Sequence, residues 1–445
     1  MGGEYDGVLG DMADLIRGVS YRPDDLLPDG SAGVPLLRAT NIGDRRLDLS
    51  DVLYVPRGHV RDTQRLRLFD VVIAMSSGSQ QAVGRLAQLR QEWDGCVGAF
   101  CGVIRPKAES VYPEYLGYVL QSPAFRERIE TYAVGTAIMN LSRERILGFP
   151  LTLPSTEIQK AIAHILGTLD DKIELNRQMN RTLEEMARAI FKSWFVDFDP
   201  VRAKAAVRSA HPSWTNEQVS RAACPNLKPE IAELFPDAFE DSELGQIPKG
   251  WKASIVHQHF RLTMGQSPPG STYNEIGEGV PFYQGRTDFG FRFPTRRVFC
   301  TAPTRFAETG DTLVSIRAPV GDVNMANERC AVGRGVAAIR HRSGSRSFTY
   351  CSMKYLGKHF DQFEAEGTVF GCINKSDFER LPFVSPEPDI LTVFEQIVSP
   401  LDDRLETNEC QSLILASIRD ALLPKLISGE LRVKDAEKFV ERVAI

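Results

Sequence analysis

The sequence lacks the signatures of the common enzyme classes. It has no G-x-x-x-x-G-K-[ST] phosphate loop, no G-x-G-x-x-G opening a helix after a strand, and neither H-E-x-x-H nor G-x-S-x-G. Asp199-Pro200 lacks the second proline and the aromatic residue with which an adenine methyltransferase holds a flipped base. The seven histidines are scattered, and no carboxylate or cysteine arrangement joins His257 and His259. We therefore expect no catalytic residues and no enzyme activity in this chain by itself.

Metal-ligand spacing and long apolar runs are also missing. The eight cysteines show no C-x-x-C spacing, and no histidine cluster accompanies the closest pair, Cys96 and Cys101, so we expect reduced, mostly buried thiols and no metal site. No stretch approaches the ~18 uncharged apolar residues of a membrane-spanning helix. The N-terminus has no basic region followed by an apolar run. We expect a cytoplasmic protein that is neither secreted nor membrane-spanning.

The charge of the chain is unevenly distributed. The 445 residues, 42% hydrophobic and 25% charged, suffice for two or three domains with their own cores. The net charge is -5, but residues 246–388 carry 18 Lys and Arg against 13 Asp and Glu. Only this segment is basic as a whole. Charge alone therefore favours a nucleic-acid partner there more than in the rest of the chain.

One long stretch, Pro154 to Trp194, has the period of a helix. Thr156 and Gln159 have capping-box spacing, and apolar residues then recur every three or four positions with no proline to interrupt them. At ~1.5 Å per residue, such a helix is about 60 Å long. Its single apolar stripe predicts a partner helix.

The same stripe occurs twice. A shift of 232 positions superimposes LDDKIELN on LDDRLETN. The asparagines in the seam are costly for packing but fix the register between paired helices. We predict a coiled coil whose helix-pairing residues are Ile165, Leu169, Ile173, Asn176 and Leu183 in the first helix, and Ile397, Leu401, Leu405, Asn408 and Leu415 in the second.

The modules that precede the two helices also repeat. VPLLRATNIGD is answered by VPFYQGRTDFG, FDVVIAM by GDTLVSI, and GCVGAFCGVIR by CAVGRGVAAIR, at offsets that drift from about 246 to 232. Short β-type runs and a helix predicted over 113–132 make the first module α+β. Since the scaffold positions repeat while the loops diverge, we expect one fold with two different targets.

Polar loops of both modules supply candidate DNA contacts. Arg, Asn and Gln pair bidentately with guanine and adenine in the major groove, and basic residues between aromatic ones grip phosphates. For the stretch TDFGFRFPTRRVF, a β-hairpin with buried Phe and solvated Arg is an equally good interpretation. The candidates are Arg38, Asn41, Ser76, Ser77, Ser79, Gln80, Gln81, Arg85, Gln284, Arg286, Arg292, Arg296, Arg297, Arg317 and Asn324.

Three strings flank the long helices and the second module: AIFKSWFVDFDPVRAK, ELFPDAFEDSELGQIPKGW and LLPKLISGELRV. On these strings, the whole chain resembles the DNA-specificity subunits of type I restriction-modification systems. The resemblance implies two similar α/β target recognition domains, each reading one half of a bipartite, asymmetric DNA target. It also implies that two long antiparallel helices of the conserved-region type join them in a pseudo-twofold coiled coil, which sets the spacer and docks two methyltransferase subunits.

The implied organisation divides the chain into six segments. Their bounds are 1–154 (recognition domain 1), 155–195 (helix 1), 196–245 (connector), 246–388 (recognition domain 2), 389–428 (helix 2) and 429–445 (tail). By the same resemblance the partners are double-stranded DNA, methyltransferase subunits and restriction or translocase subunits, which serve host defence by DNA methylation and cleavage. This chain would bind no cofactor, because S-adenosylmethionine, ATP and magnesium belong to its partners.

Two other functions remain open. The coiled coil could join other proteins as a scaffold without any DNA readout. Alternatively, the chain could be a fragment of a fused restriction-methylation enzyme, an interpretation that the missing catalytic motifs oppose.

Overall fold

The computed structural model describes residues 5–28, 32–43, 45–77, 82–107, 111–131, 139–317, 319–365 and 371–443. The chain divides into two compact units. Unit 1 comprises Met1–Glu174 and Ser412–Ile445, and unit 2 comprises Leu175–Gln411. Among the described residues, no helix combines the length and the apolar character needed to cross a membrane.

The strands are short and lie mostly before the long helices. In chain order they are β1 (Tyr5–Val8), β2 (Ala13–Arg17), β3 (Gly33–Leu37), β4 (Leu53–Pro56), β5 (Val71–Ala74), β6 (Ser76–Ser77), β7 (Leu86–Gln88), β8 (Cys96–Val97), β9 (Cys101–Pro106), β10 (Met139–Asn140), β11 (Pro150–Leu153), β12 (Phe239–Ser242), β13 (Gly245–Pro248), β14 (Lys252–Ile255), β15 (Phe260–Met264), β16 (Tyr273–Asn274), β17 (Val280–Tyr283), β18 (Phe299–Cys300), β19 (Phe306–Ala307), β20 (Thr312–Ser315), β21 (Val323–Met325), β22 (Cys330–Val332), β23 (Val336–His341) and β24 (Pro382–Ser385).

The helices include two of 40 residues each. They are α1 (Leu9–Met12), α2 (Pro113–Leu120), α3 (Pro123–Thr131), α4 (Arg143–Leu147), α5 (Thr156–Phe195), α6 (Asp199–Ala210), α7 (Asn216–Ala223), α8 (Pro229–Ala232), α9 (Val256–His259), α10 (Arg346–Ala365), α11 (Lys375–Glu379), α12 (Pro388–Ile427) and α13 (Val433–Val443).

Unit 1 is built on two small sheets. One has the order β2-β9-β5-β7 and is antiparallel, and the other has the order β4-β3-β8, in which β3 and β8 run parallel. Strand β1 pairs with β11 just before α5, with Tyr5 opposite Leu153. Helices α2 and α3, the first half of α5, the second half of α12 and α13 supply most of the largest apolar core of this unit.

Unit 2 repeats the main sheets of this arrangement, with five strands in its second sheet where unit 1 has three. Its antiparallel sheet has the order β15-β23-β20-β21, and in the second sheet β17 and β22 run parallel, as β3 and β8 do. Strand β14 pairs with β24 before α12, in the place that β1 and β11 hold before α5. The α+β class and the internal repeat are therefore those expected from the sequence.

The helix that the sequence predicted over 113–132 is two helices. Helix α2 ends at Leu120 and α3 begins at Pro123, because a proline inside a helix removes a backbone hydrogen bond and clashes with the preceding turn. Proline is well tolerated in the first turn, where Pro123 now stands.

The segment 196–245 is ordered and largely helical. It contains α6, α7, α8 and the hairpin β12-β13. The side chain of Lys204 is fully buried, and its ammonium group donates hydrogen bonds to the carbonyl oxygens of Ala232, at 2.9 Å, and Phe235. This lysine of α6 therefore caps carbonyl groups at the C-terminal end of α8 and links the two helices.

The two long helices pair within each unit. In unit 1, one buried cluster contains Ile165, Leu169, Ile173 and Leu415. In unit 2, the buried cluster contains Leu405, and three residues pack against that cluster: Leu183, Ile397 and Leu401. Positions farther along α5 contact positions earlier in α12, so the paired halves run antiparallel. The residues nominated for pairing thus lie at the helix contacts of their own units.

Polar groups occupy the middle of the seam in unit 2. The amide of Asn176 donates to Gln411 Oε1 at 2.9 Å, and that of Asn408 donates to Asn180 Oδ1 at 2.8 Å. Asn180 in turn donates to the carbonyl of Leu405 at 3.3 Å. Each amide finds its hydrogen-bond partner at only one position along the other helix. The network therefore opposes a shift in register between the helices.

The seam yields a stability prediction. Leu405 is 0% exposed, so Leu405→Asp places an unpaired carboxylate in the core and should lower the free energy of unfolding of unit 2. We expect a loss of about 3 kcal/mol or more. Chemical denaturation measures the change, and Thr407→Asp, at an exposed position of the same helix, is the control. Equal stability of the two variants would contradict this helix pairing.

Candidate nucleic-acid interface

The first candidate loop follows β3 in unit 1. The amide of Asn41 donates to the carbonyls of Asp48, at 3.1 Å, and Asp51, at 2.6 Å, while its Oδ1 accepts from the backbone N–H of Arg38 at 2.8 Å. Asn41 is only 2% exposed, so it shapes the loop and we remove it from the DNA-contact set. Arg38 is half-buried and forms an ion pair with Asp51 at 2.8 Å.

The second candidate loop follows β5. Ser76 is buried within β6, and both Ser76 and Ser77 pair their backbones with β10. Arg85, where the loop returns, is exposed. Ser79, Gln80 and Gln81 lie outside the described residues.

The matching loops of unit 2 present a more basic surface. Gln284, Arg286 and Arg317 are exposed, and Arg286 forms an ion pair with Asp322 at 2.8 Å. Asn324 is instead fully buried in β21 and donates to the carbonyl of Gly290 at 3.1 Å, so it too leaves the DNA-contact set.

Arg292 lies in the interior of unit 2, which agrees with neither interpretation of its loop. Its side chain is 1% exposed. The guanidinium donates to Asp402 Oδ1 of α12 at 2.7 Å, forms an ion pair with Glu184 of α5, and stacks 3.8 Å above the ring of Tyr350. The expectation that Arg292 contacts DNA is therefore wrong, since this arginine anchors its loop to both long helices.

The flanking phenylalanines also differ from the hairpin alternative. Phe293 is buried, but Phe291 is 47% exposed. The N–H of Gly290 donates a hydrogen bond to the Phe293 carbonyl oxygen at 3.1 Å and closes the turn. The tip of this loop thus turns an arginine inward and a phenylalanine outward.

Unit 1 has the same loop with its own arginine. The N–H of Gly43 bonds to the Arg46 carbonyl at 2.8 Å, in the place of the Gly290–Phe293 bond. Arg45, which corresponds to Arg292, forms an ion pair with Asp420 of α12 at 2.9 Å. The sequence analysis missed Arg45, although aligning NIGDRR with DFGFRF would have found it.

Arg296 and Arg297 remain on the surface. Arg296 is 62% exposed beside Glu328, and Arg297 is 52% exposed with its Nε 2.7 Å from Asp288. Side-chain hydrogen bonds to Glu328 and Asp288, respectively, raise the pKa of each guanidinium above its ordinary value. Both guanidinium groups are themselves exposed and can contact phosphate oxygens, although the carboxylate of Asp288 is buried and that of Glu328 is only 30% exposed.

A polar depression of about 300 Å³ lies beside this loop. It is lined by Arg286, Phe289, Gly290, Phe291, Asp322, Val323 and Lys354. Two cations and an exposed phenyl ring suit a sugar-phosphate chain better than an apolar ligand.

The repeated Leu-Asp-Asp of the long helices has one inward and one outward carboxylate. In unit 1, Asp170 accepts from Arg419 at 2.6 Å and from the hydroxyl of Tyr118 at 2.8 Å. In unit 2, Asp402 accepts from Arg292 and from the hydroxyl of Ser347 at 2.6 Å. Each inward carboxylate therefore accepts from one arginine and one hydroxyl, and Asp170 also forms an ion pair with Arg90 at 3.6 Å.

Burial and nearby charges act in opposite directions on the ion pair of Arg292 and Asp402. It raises the pKa of Asp402, against the opposing effects of Arg292 and Ser347. Burial also disfavours the charge of Arg292, but Tyr350, Asp402 and Glu184 outweigh it and raise the pKa of this guanidinium.

Metal ligands and reactive thiols do not gather in the described part of the chain. No group of three or more His, Cys, Asp or Glu residues there could hold a metal ion. The eight cysteines are free, with only Cys372 and Cys410 exposed. Burial raises the pKa of the Cys96 and Cys101 thiols to about 12, which makes them unreactive.

The structure thus combines two similar α+β units, exposed arginines on their loops, and two 40-residue helices. Residues 69–185 match the model of the type I restriction modification DNA specificity domain. Over this span the chain is similar to the DNA specificity domain of type I restriction-modification systems.

Relatives align along most of the chain. A Methanocaldococcus jannaschii protein that is named as the type I restriction enzyme MjaX specificity subunit is 27% identical to this chain over 413 residues. The alignment covers 90% of this chain and 88% of that protein. The HindI specificity subunit of Haemophilus influenzae is 29% identical over 375 residues, covering 74% and 80%. The crystal structure of the type I S subunit from M. genitalium covers 95% of each chain with a TM-score of 0.50 at 16% identity, a likeness of fold.

The first prediction from this site concerns Arg292. Arg292→Met leaves Asp402 and Glu184 without their cation and should lower the free energy of unfolding of unit 2 by about 3–5 kcal/mol. Asp402→Asn in the same chain should recover part of the loss, because the buried carboxylate is then removed. Arg286→Met, which breaks an exposed ion pair, is the control and should cost less than about 1 kcal/mol. Similar losses for the two arginines would refute the anchoring role.

A second prediction concerns Glu409, whose carboxylate accepts from the backbone N–H of Arg292 at 3.2 Å. Burial raises the pKa of Glu409 from 4.5 to about 7. The folded chain thus holds this proton more tightly than the unfolded chain, so its stabilising contribution is present below pH 4.5 and lost as the pH rises through about 7. Glu409→Gln, which keeps an acceptor oxygen, should match the parent chain in acid and exceed its stability above neutral pH.

Denaturation curves at the two ends of this pH window measure the effect. Glu185→Gln, on an exposed position of α5, controls for the change in total charge. Parallel pH dependences for the parent chain and Glu409→Gln would exclude Glu409 as the titrating group.

Proposed function

We propose that this chain is the non-catalytic specificity subunit of a type I restriction-modification enzyme. Each of its two recognition modules reads one half of a bipartite, asymmetric DNA target. The long helices α5 and α12 set the number of unread bases between the halves.

One observation carries this proposal: the two units share a backbone scaffold but present different exposed side chains. The loop after β3 offers the half-buried Arg38, which is paired with Asp51, whereas the matching loop after β17 offers the exposed Gln284 and Arg286. Base-edge contacts carry sequence information, so unlike side chains on like scaffolds read unlike half-sites.

The proposed contacts divide into two kinds. Gln284 and Arg317 are exposed in loops and can reach base edges. Ser79, Gln80 and Gln81 stay candidates for such contacts on their residue types alone. Arg286, Arg296 and Arg297 are exposed, form ion pairs with carboxylates, and fit phosphate contacts, which position the protein and make binding sensitive to salt.

The remaining parts of the proposal concern the partners. Two methyltransferase subunits dock on the helix pair, and restriction or translocase subunits complete the enzyme. Those subunits bind S-adenosylmethionine, ATP and magnesium, and this chain binds none of them. The complex works in the cytoplasm, where its DNA target is found.

Selection of duplexes from a random library tests the function. The chain is co-expressed with its methyltransferase subunit, and bound duplexes are sequenced. We expect a split motif of two unlike halves separated by a fixed run of unread bases. Recovery of no motif by a folded, intact complex would favour a coiled-coil scaffold instead, and methyl transfer by the purified chain alone would favour a fused enzyme.

A further inference from the structure

One tight turn joins the strand ends from which the candidate loops of unit 1 emerge. Gly98 to Cys101 connects β8 to β9, and the N–H of Cys101 bonds to the Gly98 carbonyl at 2.8 Å. The N–H of Gly98 bonds to the carbonyl of Leu37 at the end of β3 at 2.8 Å, and the Phe100 carbonyl accepts from Met75, after β5, at 2.8 Å. The turn therefore lies between the loop that holds Arg38 and the loop that begins at Ser76.

Unit 2 repeats this turn bond for bond. The N–H of Val336 bonds to the Gly333 carbonyl at 2.9 Å, and Gly333 donates to Tyr283, at the end of β17, at 2.8 Å. The Gly335 carbonyl accepts from Ile316, after β20, at 2.9 Å. This turn lies between the loop that holds Arg286 and the loop that begins at Arg317.

The end of the first strand of each antiparallel sheet closes over the turn. Gly18 donates to the Cys101 carbonyl at 3.1 Å, and Gly265 donates to that of Val336 at 3.0 Å. A Cβ on Gly18 would lie 2.1 Å from the Gly98 carbonyl oxygen, and a Cβ on Gly265 would lie 2.1 Å from that of Gly333. Both glycines are required by this close approach, which fixes the backbone of the turn.

The turns differ in the side chains they expose. In unit 1, Phe100 is 67% exposed although its backbone is fixed on both sides. The equivalent backbone position in unit 2 is Gly335, and the exposed side chain there belongs to the preceding residue, Arg334, whose N–H bonds to Ser267 Oγ at 3.2 Å. A fixed backbone lowers the entropy lost when such a side chain is bound.

We propose that Phe100 and Arg334 are specificity-determining residues that contact bases, an inference that rests on the proposed function. Phe100 makes an apolar contact with the methyl group of a thymine in the half-site of the first module. Arg334 donates hydrogen bonds to O6 and N7 of a guanine in the half-site of the second. Both contacts are standard ways of reading the major groove, and both residues stand among the loops that supply the remaining polar contacts.

The test repeats the library selection with the full chain in its co-expressed complex. Phe100→Ala should relax one thymine position of the first half-site and leave the second half-site unchanged. Arg334→Met should relax one guanine position of the second half-site only. We expect the preference at each position to fall roughly 5- to 150-fold, the range of a good base contact.

Modified duplexes then identify the atoms involved. Deoxyuridine in place of that thymine removes the methyl group and should weaken binding by the parent complex but not by Phe100→Ala. In the same way, 7-deazaguanine should weaken binding by the parent complex but not by Arg334→Met. Phe439→Ala and Arg329→Met, exposed residues on α13 and before β22, should leave both motifs unchanged.

The outcomes distinguish this inference from the function on which it rests. An unchanged motif, or a uniform loss of affinity for all duplexes, overturns the inference while the parent complex still selects its split motif. Equal sensitivity of parent and variant to the modified base also overturns the assigned contact. If the parent complex selects no motif, the proposed function itself fails.

Discussion

The pairing of inward-facing carboxylates of the long helices with arginines is the constraint on which the rest of the structure depends. Asp170, 18% exposed, and Asp402, 1% exposed, stand at the same place in the repeat, and a buried carboxylate such as Asp402 would be strongly destabilising without a cation. In unit 1 the nearer of two cations is Arg419 of α12, at 2.6 Å, and the other is Arg90, at 3.6 Å. In unit 2 the cation is Arg292, which comes from a loop after β17. Its ion pair with the helix carboxylate therefore fixes the position of this loop beside the candidate DNA contacts.

The duplicated scaffold separates what must be kept from what is free to vary. The turns at Gly98 and Gly333 make equivalent backbone hydrogen bonds to the ends of equivalent strands, and glycines at 18 and 265 leave no room for a side chain. Backbone bonds of this kind place no demand on the side chains that point outward. The surface residues around each turn can therefore diverge without loss of the fold, which suits the proposed reading of two unlike half-sites.

Much of the architecture was predictable because it follows from periodic burial. The apolar stripe predicted a helix over 155–195 and its repeat predicted another over 389–428, and the structure has helices at Thr156–Phe195 and Pro388–Ile427. The prediction of one helix over 113–132 was wrong, because the apolar periodicity continues across Pro123 although the helix does not. The domain bounds proposed from the resemblance stay a prediction.

The sequence by itself determined the repeat, the α+β class and the helix seam, since each depends on spacing along the chain. Only the tertiary structure decided which polar residues face outward. Arg292, Asn41 and Asn324 have the same residue types as good DNA contacts, yet burial and nearby acceptors bind them inside. Phe100 resembles a core residue and is exposed. The reason is physical: whether a side chain reaches solvent depends on neighbours that are distant in sequence, such as Asp402 for Arg292, and local pattern does not record them.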